Sequence, residues 1–152
     1  MEIIEYFRTE NKEYWLTKLG ECEWDAGRML HRRLLDGSMK QLIGEEAKIL
    51  LLTDGDNLVS FCTLAPKDDI QPTDLTPWIG FVFVDEHHRG KRISQQMIQH
   101  VLEYAKQQGF KKVYLSTEEE NLYEKYGFVY IDTLKSDAGT METILMYDVA
   151  GE

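Results

Sequence analysis

The chain has 152 residues, of which 43% are hydrophobic and 11% aromatic, and its formal net charge is −10. This length fits one domain over residues 1–152 that buries about two thirds of its unfolded surface, and the apolar content is too high for a disordered protein. The negative charge argues against a general nucleic-acid-binding protein, which needs a basic face to neutralise phosphates.

The sequence shows no pattern typical of a targeting segment and no pair of closely spaced cysteines. No apolar run approaches the ~20 residues of a membrane-spanning helix, and Met1–Glu5 lacks the pattern of a signal peptide. Cys22 and Cys62 stand forty residues apart, which predicts two free, buried thiols rather than a disulfide or a metal site. We therefore expect a cytoplasmic protein with no membrane contact and no metal.

Two helices are predicted in the N-terminal third. Asn11 can cap the first and Gly20 can end it, while Gly37 can end the second. Arg32 and Arg33 are most simply part of a solvated face. Apolar residues recur at helical spacing in both helices: Tyr14, Trp15 and Leu19 in the first, and Ala26, Met29, Leu30 and Leu34 in the second.

A hairpin and a buried strand follow. Asp54-Gly55 lies between the apolar runs 49–52 and 58–64, and Asp-Gly between two such runs predicts a β-hairpin. A polar loop then leads to Trp78–Val84, which is apolar almost throughout and is typical of a strand that is covered on both faces. Trp15, Trp24 and Trp78 are most simply packing residues.

The second half of the chain alternates between strands and helices. An amphipathic helix ends at Gly109, and its apolar face consists of Ile93, Met97, Ile98, Val101, Leu102 and Ala105. A strand at 110–116 follows, and it should run parallel to the strand at 78–84. A short helix at about 120–126 ends at Gly127, and strands at 128–131 and 143–149 complete the chain. These elements predict an α/β fold with a mixed, largely antiparallel sheet and helices on its faces.

Two segments carry the chemistry. In the first, the basic turn Arg89-Gly90-Lys91-Arg92 separates Val84 from the amphipathic helix. The N-terminus of a helix has unpaired N–H groups and a partial positive charge, so cations placed there predict an anion site. The second segment, Asn121-Leu122-Tyr123-Glu124-Lys125-Tyr126-Gly127-Phe128, follows the neighbouring parallel strand.

Together these segments resemble the signatures of the GNAT superfamily of acyl-CoA-dependent N-acetyltransferases. That family's acyl-CoA loop has the form Arg/Gln-x-x-Gly-x-Gly/Ala and corresponds to Arg89–Ser94, and its Leu-Tyr-x-Lys-x-Gly-Phe signature matches Leu122–Phe128. The order of the elements also fits, so the resemblance covers essentially the whole chain. It implies a GNAT-like fold with a central parallel strand pair, acetyl-CoA as co-substrate and an amine as acceptor.

The resemblance also implies roles for particular residues. The backbone of Val82, Phe83 and Val84 would bind the pantetheine arm, and Asn121 would add a hydrogen bond to it. Tyr123 would protonate the departing thiolate, because a hydroxyl with a pKa of about 10 stays protonated at neutral pH. The backbone amides of the loop would wrap the pyrophosphate, and these belong to Arg89, Gly90, Lys91, Arg92, Ile93 and Ser94.

The loop departs from the family pattern at two positions. Arg92 and Ser94 stand where the pattern has Gly and Gly/Ala. We expect Arg92 to have a negative φ, as in a helix, so that its amide still faces the ligand. Ser94 is small, and its hydroxyl is within reach of a phosphate. Glu86 occupies a position that is often proline in the family.

Other polar residues have simpler interpretations. Tyr126 is three residues from Tyr123, and we expect it to pack rather than act as the acid. His87 and His88 are adjacent and form a poor metal pair, so a solvated loop is the simpler interpretation. The carboxylates near the ends of the parallel strands are also most simply part of a charged loop, although one of them could contact a cationic acceptor. These carboxylates are Asp85, Glu86, Glu118, Glu119 and Glu120.

The function predicted from the sequence is transfer of an acetyl group from acetyl-CoA to a primary amine by direct attack. The acceptor is a small molecule or a peptide, with a small cationic amine slightly favoured by the negative charge, and a homodimer is compatible with the resemblance. Two alternatives stay open. One is a non-catalytic acyl-CoA sensor with the same fold, and the other is an acidic interaction module in which the basic turn is incidental.

Overall fold

The computed structural model describes residues 1–68, 70, 73–85, 88, 92–118 and 121–150. These residues form a seven-stranded sheet in the order β1-β2-β3-β4-β5-β7-β6. The strands are β1 (Glu2–Glu5), β2 (Lys48–Asp54), β3 (Asn57–Ala65), β4 (Trp78–Val84), β5 (Lys112–Thr117), β6 (Val129–Lys135) and β7 (Met141–Asp148). The helices are α1 (Lys12–Gly20), α2 (Asp25–Asp36), α3 (Met39–Ile43) and α4 (Ile93–Gln107), and 3₁₀ turns lie at Tyr6–Arg8 and Tyr123–Tyr126.

The strand directions confirm the predicted sheet. Within the described residues, β4 and β5 are parallel and the other paired strands are antiparallel. The predicted hairpin is β2–β3, in which Asp54 pairs with Asn57 across a two-residue turn. Gly55 has a φ of +59° in that turn, which glycine adopts without steric cost.

Helices cover both faces of the sheet. All six residues on the predicted apolar face of α4 are buried, and they pack on one face with Leu50, Leu52 and Val59. On the other face, which α1, α2 and α3 cover, the alternate residues Ile49 and Leu51 of β2 pack with Phe61 and Phe83. The alternation arises because successive side chains of a strand point to opposite faces. Each fully buried Leu or Ile contributes about 1.5–3 kcal/mol to the stability of the fold.

Several elements differ from the predicted ones. The N-terminal strand β1 and the short helix α3 were not predicted, β6 extends to Lys135, and a 3₁₀ turn replaces the predicted short helix. Trp15 and Trp78 are buried, and Trp24, although 44% exposed, packs against Phe83 with ring centroids 5.3 Å apart, so all three tryptophans are packing residues as predicted. Cys62 is buried as predicted, whereas Cys22 is only half-buried, and both are free thiols.

Within the part of the chain that the model describes, no helix combines the length and the hydropathy needed to cross a membrane.

Candidate functional site

Strands β4 and β5 diverge soon after they begin to pair. The parallel ladder joins Trp78 to Tyr114 and Ile79 to Leu115, and no further rung is formed by the described residues of these two strands. On its other side, β4 has one residue more than β3 between the pairs Thr63–Gly80 and Phe61–Phe83. This bulge bends β4 away from β5, and the edge of β4 that faces β5 becomes accessible to an extended ligand.

The bulge is centred on Phe81, whose φ is +52°. A bulky residue in this region of the φ/ψ map is strained, and such strain persists only where the surrounding packing imposes it. Phe81 and Phe83 contact the cluster on the α1/α2 side, while Val82 and Val84 contact the cluster on the α4 side. The bulge therefore places Gly80 and Phe81 at the point where β4 and β5 separate.

A cavity of about 400 Å³ opens at this divergence. Its floor is formed by β4 residues and by the end of β5. Tyr123 lines it from the turn that follows β5, and Met29 lines it from α2. The described residues lining the cavity are Met29, Asp68, Ile79, Gly80, Phe81, Val82, Leu115, Ser116, Tyr123 and Glu142.

Tyr123 and Tyr126 have different surroundings although they belong to the same 3₁₀ turn. Gly127, with a φ of +103°, ends the turn, and buried Phe128 packs with its ring centroid 6.1 Å from that of Tyr123. The Tyr126 hydroxyl lies 2.9 Å from Ser94 Oγ. Tyr123 therefore faces the cavity, whereas the hydroxyl of Tyr126 is engaged at the first turn of α4.

The start of α4 lies beside the carboxyl end of β4. The first backbone hydrogen bond of the helix runs from the Gln96 N–H to the Arg92 carbonyl, at 3.0 Å, so the preceding N–H groups lie at the helix terminus and have no partner within the helix. The partial positive charge of a helix N-terminus favours anions there. Ile93 is buried and Ser94 half-buried at this terminus, while Arg89, Gly90 and Lys91 lie outside the described residues.

The prediction of a negative φ at Arg92 is wrong. Arg92 has φ +61° and ψ +27°, which is the left-handed conformation. Arg92 stands where the family pattern has glycine, the residue that adopts a positive φ without steric cost. For arginine this conformation costs about 1–2 kcal/mol relative to the right-handed one.

Asn121 also has a positive φ, +64°. Asparagine tolerates this region better than most residues. Its side chain is exposed just before the turn that holds Tyr123. Phe83, in contrast, is buried: its ring stacks on Phe61 with centroids 5.0 Å apart, and its carbonyl accepts a hydrogen bond of 2.5 Å from Ser60 Oγ. Any contact between Phe83 and an extended ligand must therefore use the backbone.

His88 is half-buried rather than solvated. Its Nδ1 lies 3.1 Å from Asp85 Oδ2, and its N–H donates to the Asp85 carbonyl at 2.9 Å. Both residues line a second cavity, of about 600 Å³, between α1 and the carboxyl end of β4, which Cys22 and Phe83 also line. This cavity is larger than the one at the divergence, but the predicted acid Tyr123 lines the smaller one. His87 lies outside the described residues.

Two carboxylates in the cavity at the divergence were missed in the sequence. Asp68 belongs to the polar connection between β3 and β4, and Glu142 lies in β7, two residues before buried Ile144. Glu142 is 8% exposed, and its Oε1 accepts a hydrogen bond of 3.2 Å from Ser116 Oγ. Glu142 and Ile144 are two residues apart and therefore lie on the same face of the strand. A glutamate on the buried face could have been noticed in the sequence, but the predicted strand began at Thr143. Glu118 is exposed, and Glu86, Glu119 and Glu120 lie outside the described residues.

Neither cysteine is placed as an activated nucleophile. Burial raises the pKa of the Cys62 thiol to about 12, and burial is also the main cause that raises the pKa of the Cys22 thiol. A thiol whose pKa is raised is mostly protonated at neutral pH and therefore reacts slowly. Among the described residues, no group of three or more His, Cys, Asp or Glu side chains could hold a metal ion.

Solved structures with the same fold include several acetyltransferases. The aminoglycoside 6'-N-acetyltransferase from Enterococcus faecium superposes with a TM-score of 0.70 at 15% identity, covering 100% of this chain and 99% of that one. An aminoglycoside 6'-N-acetyltransferase complexed with coenzyme A gives 0.68 at 15% identity, with coverage of 100% and 99%. A GNAT family acetyltransferase from Elizabethkingia anophelis with acetyl-CoA bound gives 0.63 at 18% identity, covering 97% of each chain.

No curated protein matches the chain by sequence. At the identities found, the structural similarity establishes the fold alone. The family model described as "Acetyltransferase (GNAT) family" matches residues 2–128, a span that includes both signature segments. The chain belongs to the GNAT family of acetyltransferases.

Proposed function

We propose that this protein transfers the acetyl group of acetyl-CoA to a primary amine by direct attack, with a small cationic amine as acceptor. The observation that carries the proposal is the cavity at the divergence of β4 and β5, which Tyr123 lines. A thioester placed there has β4 on one side and the phenol on the other. The negative charge of the chain favours a cationic acceptor, as do the aminoglycoside acetyltransferases among the structures of the same fold.

Acetyl-CoA would bind along β4 with its pyrophosphate at the start of α4. The pantetheine arm would pair with the backbone of Val82, Phe83 and Val84 as an additional strand, and Asn121 would contribute a hydrogen bond. The N–H groups at the start of α4 suit the phosphates. Their ligands would be the backbone of Gly90, Ile93 and Ser94 together with the charged residues Arg89, Lys91 and Arg92.

The reaction needs a proton acceptor for the attacking amine and a proton donor for the departing sulfur. The ammonium form of the acceptor first loses a proton to solvent, and the neutral nitrogen then attacks the thioester carbonyl. The C–N bond forms, the C–S bond breaks, and the nitrogen loses its second proton. Tyr123 donates its phenolic proton to the departing sulfur and regains one from solvent, so the net products are an amide, coenzyme A and one proton. A positioned acid of this kind accelerates such a step by about 10²–10⁴-fold.

The structure of the turn favours Tyr123 over Tyr126 as the acid. Tyr123 lines the cavity, whereas the Tyr126 hydroxyl lies 2.9 Å from Ser94 Oγ. Direct attack is supported by the cysteines, because burial of Cys62 keeps its thiol protonated and inaccessible. An acyl-cysteine intermediate would require an accessible thiolate.

Calorimetric titration of acetyl-CoA, with ADP and pantetheine as separate fragments, tests the cofactor site. We expect a Kd near 1 µM to 100 µM, within the usual range for such cofactors, and at least about tenfold weaker binding in Arg89→Glu because this change reverses a charge at the phosphates. Exposed Arg32→Glu on α2 is the matched control and should leave Kd unchanged. Absence of binding at millimolar acetyl-CoA would contradict the proposal and favour the interaction module.

A further inference from the structure

The hydroxyl groups of Tyr126 and Ser94 form a pair at the start of α4. Their oxygens lie 2.9 Å apart, and both side chains are half-buried. Each hydroxyl has one hydrogen and accepts through its oxygen, so only one of the two can donate to the other. A phenol is more acidic than an aliphatic alcohol and is therefore the better donor. When Tyr126 donates, the hydrogen of Ser94 is available to a third group.

The Ser94 hydroxyl lies at the N-terminal end of α4. Side chains of a helix tilt toward its N-terminus, so the oxygen of Ser94, the second residue of α4, lies on the side of the N–H groups that have no partner within the helix. The N-cap residue is Arg92, which makes no side-chain capping hydrogen bond and has no acceptor atom in its side chain. An anionic ligand would supply the acceptor that a serine or aspartate provides at other helix termini.

Packing determines the position of the Tyr126 phenol. The rings of Tyr126 and Tyr123 both pack against the core on the α4 side, with their centroids 6.2 Å apart and their planes at 81°. Gly127 ends the turn, and a Cβ added there would lie 2.9 Å from the ring of Tyr147, so the turn lies closely against β7. A phenol that its neighbours already hold loses little conformational freedom when a ligand binds.

We propose that Tyr126 is a positioning residue for the pyrophosphate of acetyl-CoA: it donates to Ser94, and Ser94 donates its own hydrogen to a phosphate oxygen. This inference rests on the proposed function, which places the pyrophosphate at the start of α4. Hydrogen bonds in such a chain polarise and strengthen one another, and a bond to an ionised oxygen is about twice as strong as one between neutral groups. The family pattern has Gly/Ala at position 94, where no side chain can donate, so the hydroxyl pair adds a phosphate contact.

A double-mutant cycle, measured by calorimetric titration of coenzyme A, tests the positioning role. Ser94→Ala removes the phosphate donor and should raise Kd at least about tenfold. Tyr126→Phe keeps that donor but not its orientation, and should raise Kd about threefold. The double variant should bind like Ser94→Ala alone, because Tyr126 acts only through Ser94. Tyr130→Phe is the matched control and should leave Kd unchanged, since it removes one hydroxyl of an exposed pair with Thr133 at 2.8 Å on β6.

Pantetheine, which has no phosphate, distinguishes a phosphate contact from a structural brace. Its Kd should change by less than about twofold in Ser94→Ala and Tyr126→Phe. Equal weakening of coenzyme A binding in the two single variants, a further loss in the double variant, or a parallel loss of pantetheine binding would overturn the inference. The predicted pattern without acetylation of any amine would leave the inference standing and overturn only the proposed function. Absence of coenzyme A binding to the unmodified protein would overturn both.

Discussion

The Tyr126 hydroxyl lies 2.9 Å from Ser94 Oγ and joins the 3₁₀ turn after β5 to the first turn of α4. These two segments contain the motifs that resemble the GNAT signatures, and Ser94 and Tyr126 are 32 positions apart in the chain. The same turn presents Tyr123 to the cavity, so one short segment both braces the helix terminus and positions the proposed acid. Replacing the two tyrosines should therefore have separable consequences.

Tyr123→Phe should lower kcat by at least about 10²-fold, because it removes the proposed acid while it keeps the aromatic packing on Phe128. Tyr126→Phe loses one hydrogen bond, worth about 1 kcal/mol, and should raise KM for acetyl-CoA by about fivefold or less with kcat nearly unchanged. Steady-state thiol release at saturating amine distinguishes the two. An equal loss of kcat in both variants, or a larger one in Tyr126→Phe, would contradict the assignment.

The left-handed conformation of Arg92 predicts an unusual order of stabilities. Arg92→Gly removes the strain of a positive φ, which offsets the greater entropy of glycine in the unfolded chain. Arg92→Ala loses the same charge but keeps a Cβ and the strain. We expect the glycine variant to exceed the alanine variant by about 1 kcal/mol in the free energy of unfolding, measured by urea denaturation. Greater stability of the alanine variant would show that residue 92 has a negative φ in solution.

Cys62 predicts a loss of stability at alkaline pH. Burial raises the pKa of its thiol from 9.0 to about 12 in the folded state, so above pH 9 the unfolded chain loses this proton first. The free energy of unfolding should then fall with rising pH between pH 9 and about 12, by at most ~1.4 kcal/mol per pH unit from this group. Because other groups also titrate there, the measurement is the difference between the unmodified protein and Cys62→Ala. An identical pH dependence in both proteins would contradict the burial of a titrating thiol.

Gly80→Ala tests the place of the Asp68 carboxylate without removing it. The added Cβ would meet both Asp68 Oδ1 and Thr63 Oγ1 at 3.1 Å, so the structure must shift by a few tenths of an ångström. We expect a loss of about 1–2 kcal/mol in the free energy of unfolding, as for other overpacked sites. Combining it with Asp68→Ala should cost less than the sum of the two single changes, since one of the two close contacts is then absent. Strict additivity in urea denaturation would contradict this close approach.

Elements with strong local signals could be predicted from the sequence. The apolar face of α4, the Asp-Gly hairpin and the parallel pair β4–β5 were all predicted and are present. In contrast, β1 contains only Ile3 and Ile4 between two glutamates, so its pattern was too short to indicate a strand. β1 forms because it pairs with the edge of β2, whose residues are distant from it in the sequence.

The candidate site shows the same limit. Tyr123 and the loop before α4 were identified because they belong to contiguous motifs. The bulge at Phe81 depends on the register between β3 and β4. Asp68 and Glu142 line one cavity because the fold places the β3–β4 connection and β7 on either side of it. Neither the bulge nor the placement of these carboxylates can be predicted from the spacing of residues along the chain. The wrong φ at Arg92 has a related origin, since arginine's own preference for a negative φ does not determine its conformation at the start of α4.

Acetyl transfer itself is measured by mass-spectrometric detection of the acetylated amine together with thiol release from acetyl-CoA. With 1,5-diaminopentane as acceptor, we expect one acetylated amine for each coenzyme A thiol released, and a rate at least about 10²-fold lower in Tyr123→Phe. Stoichiometric binding of acetyl-CoA, with neither thiol nor acetylated product from any amine acceptor, would contradict catalysis and identify the protein as a non-catalytic acyl-CoA sensor.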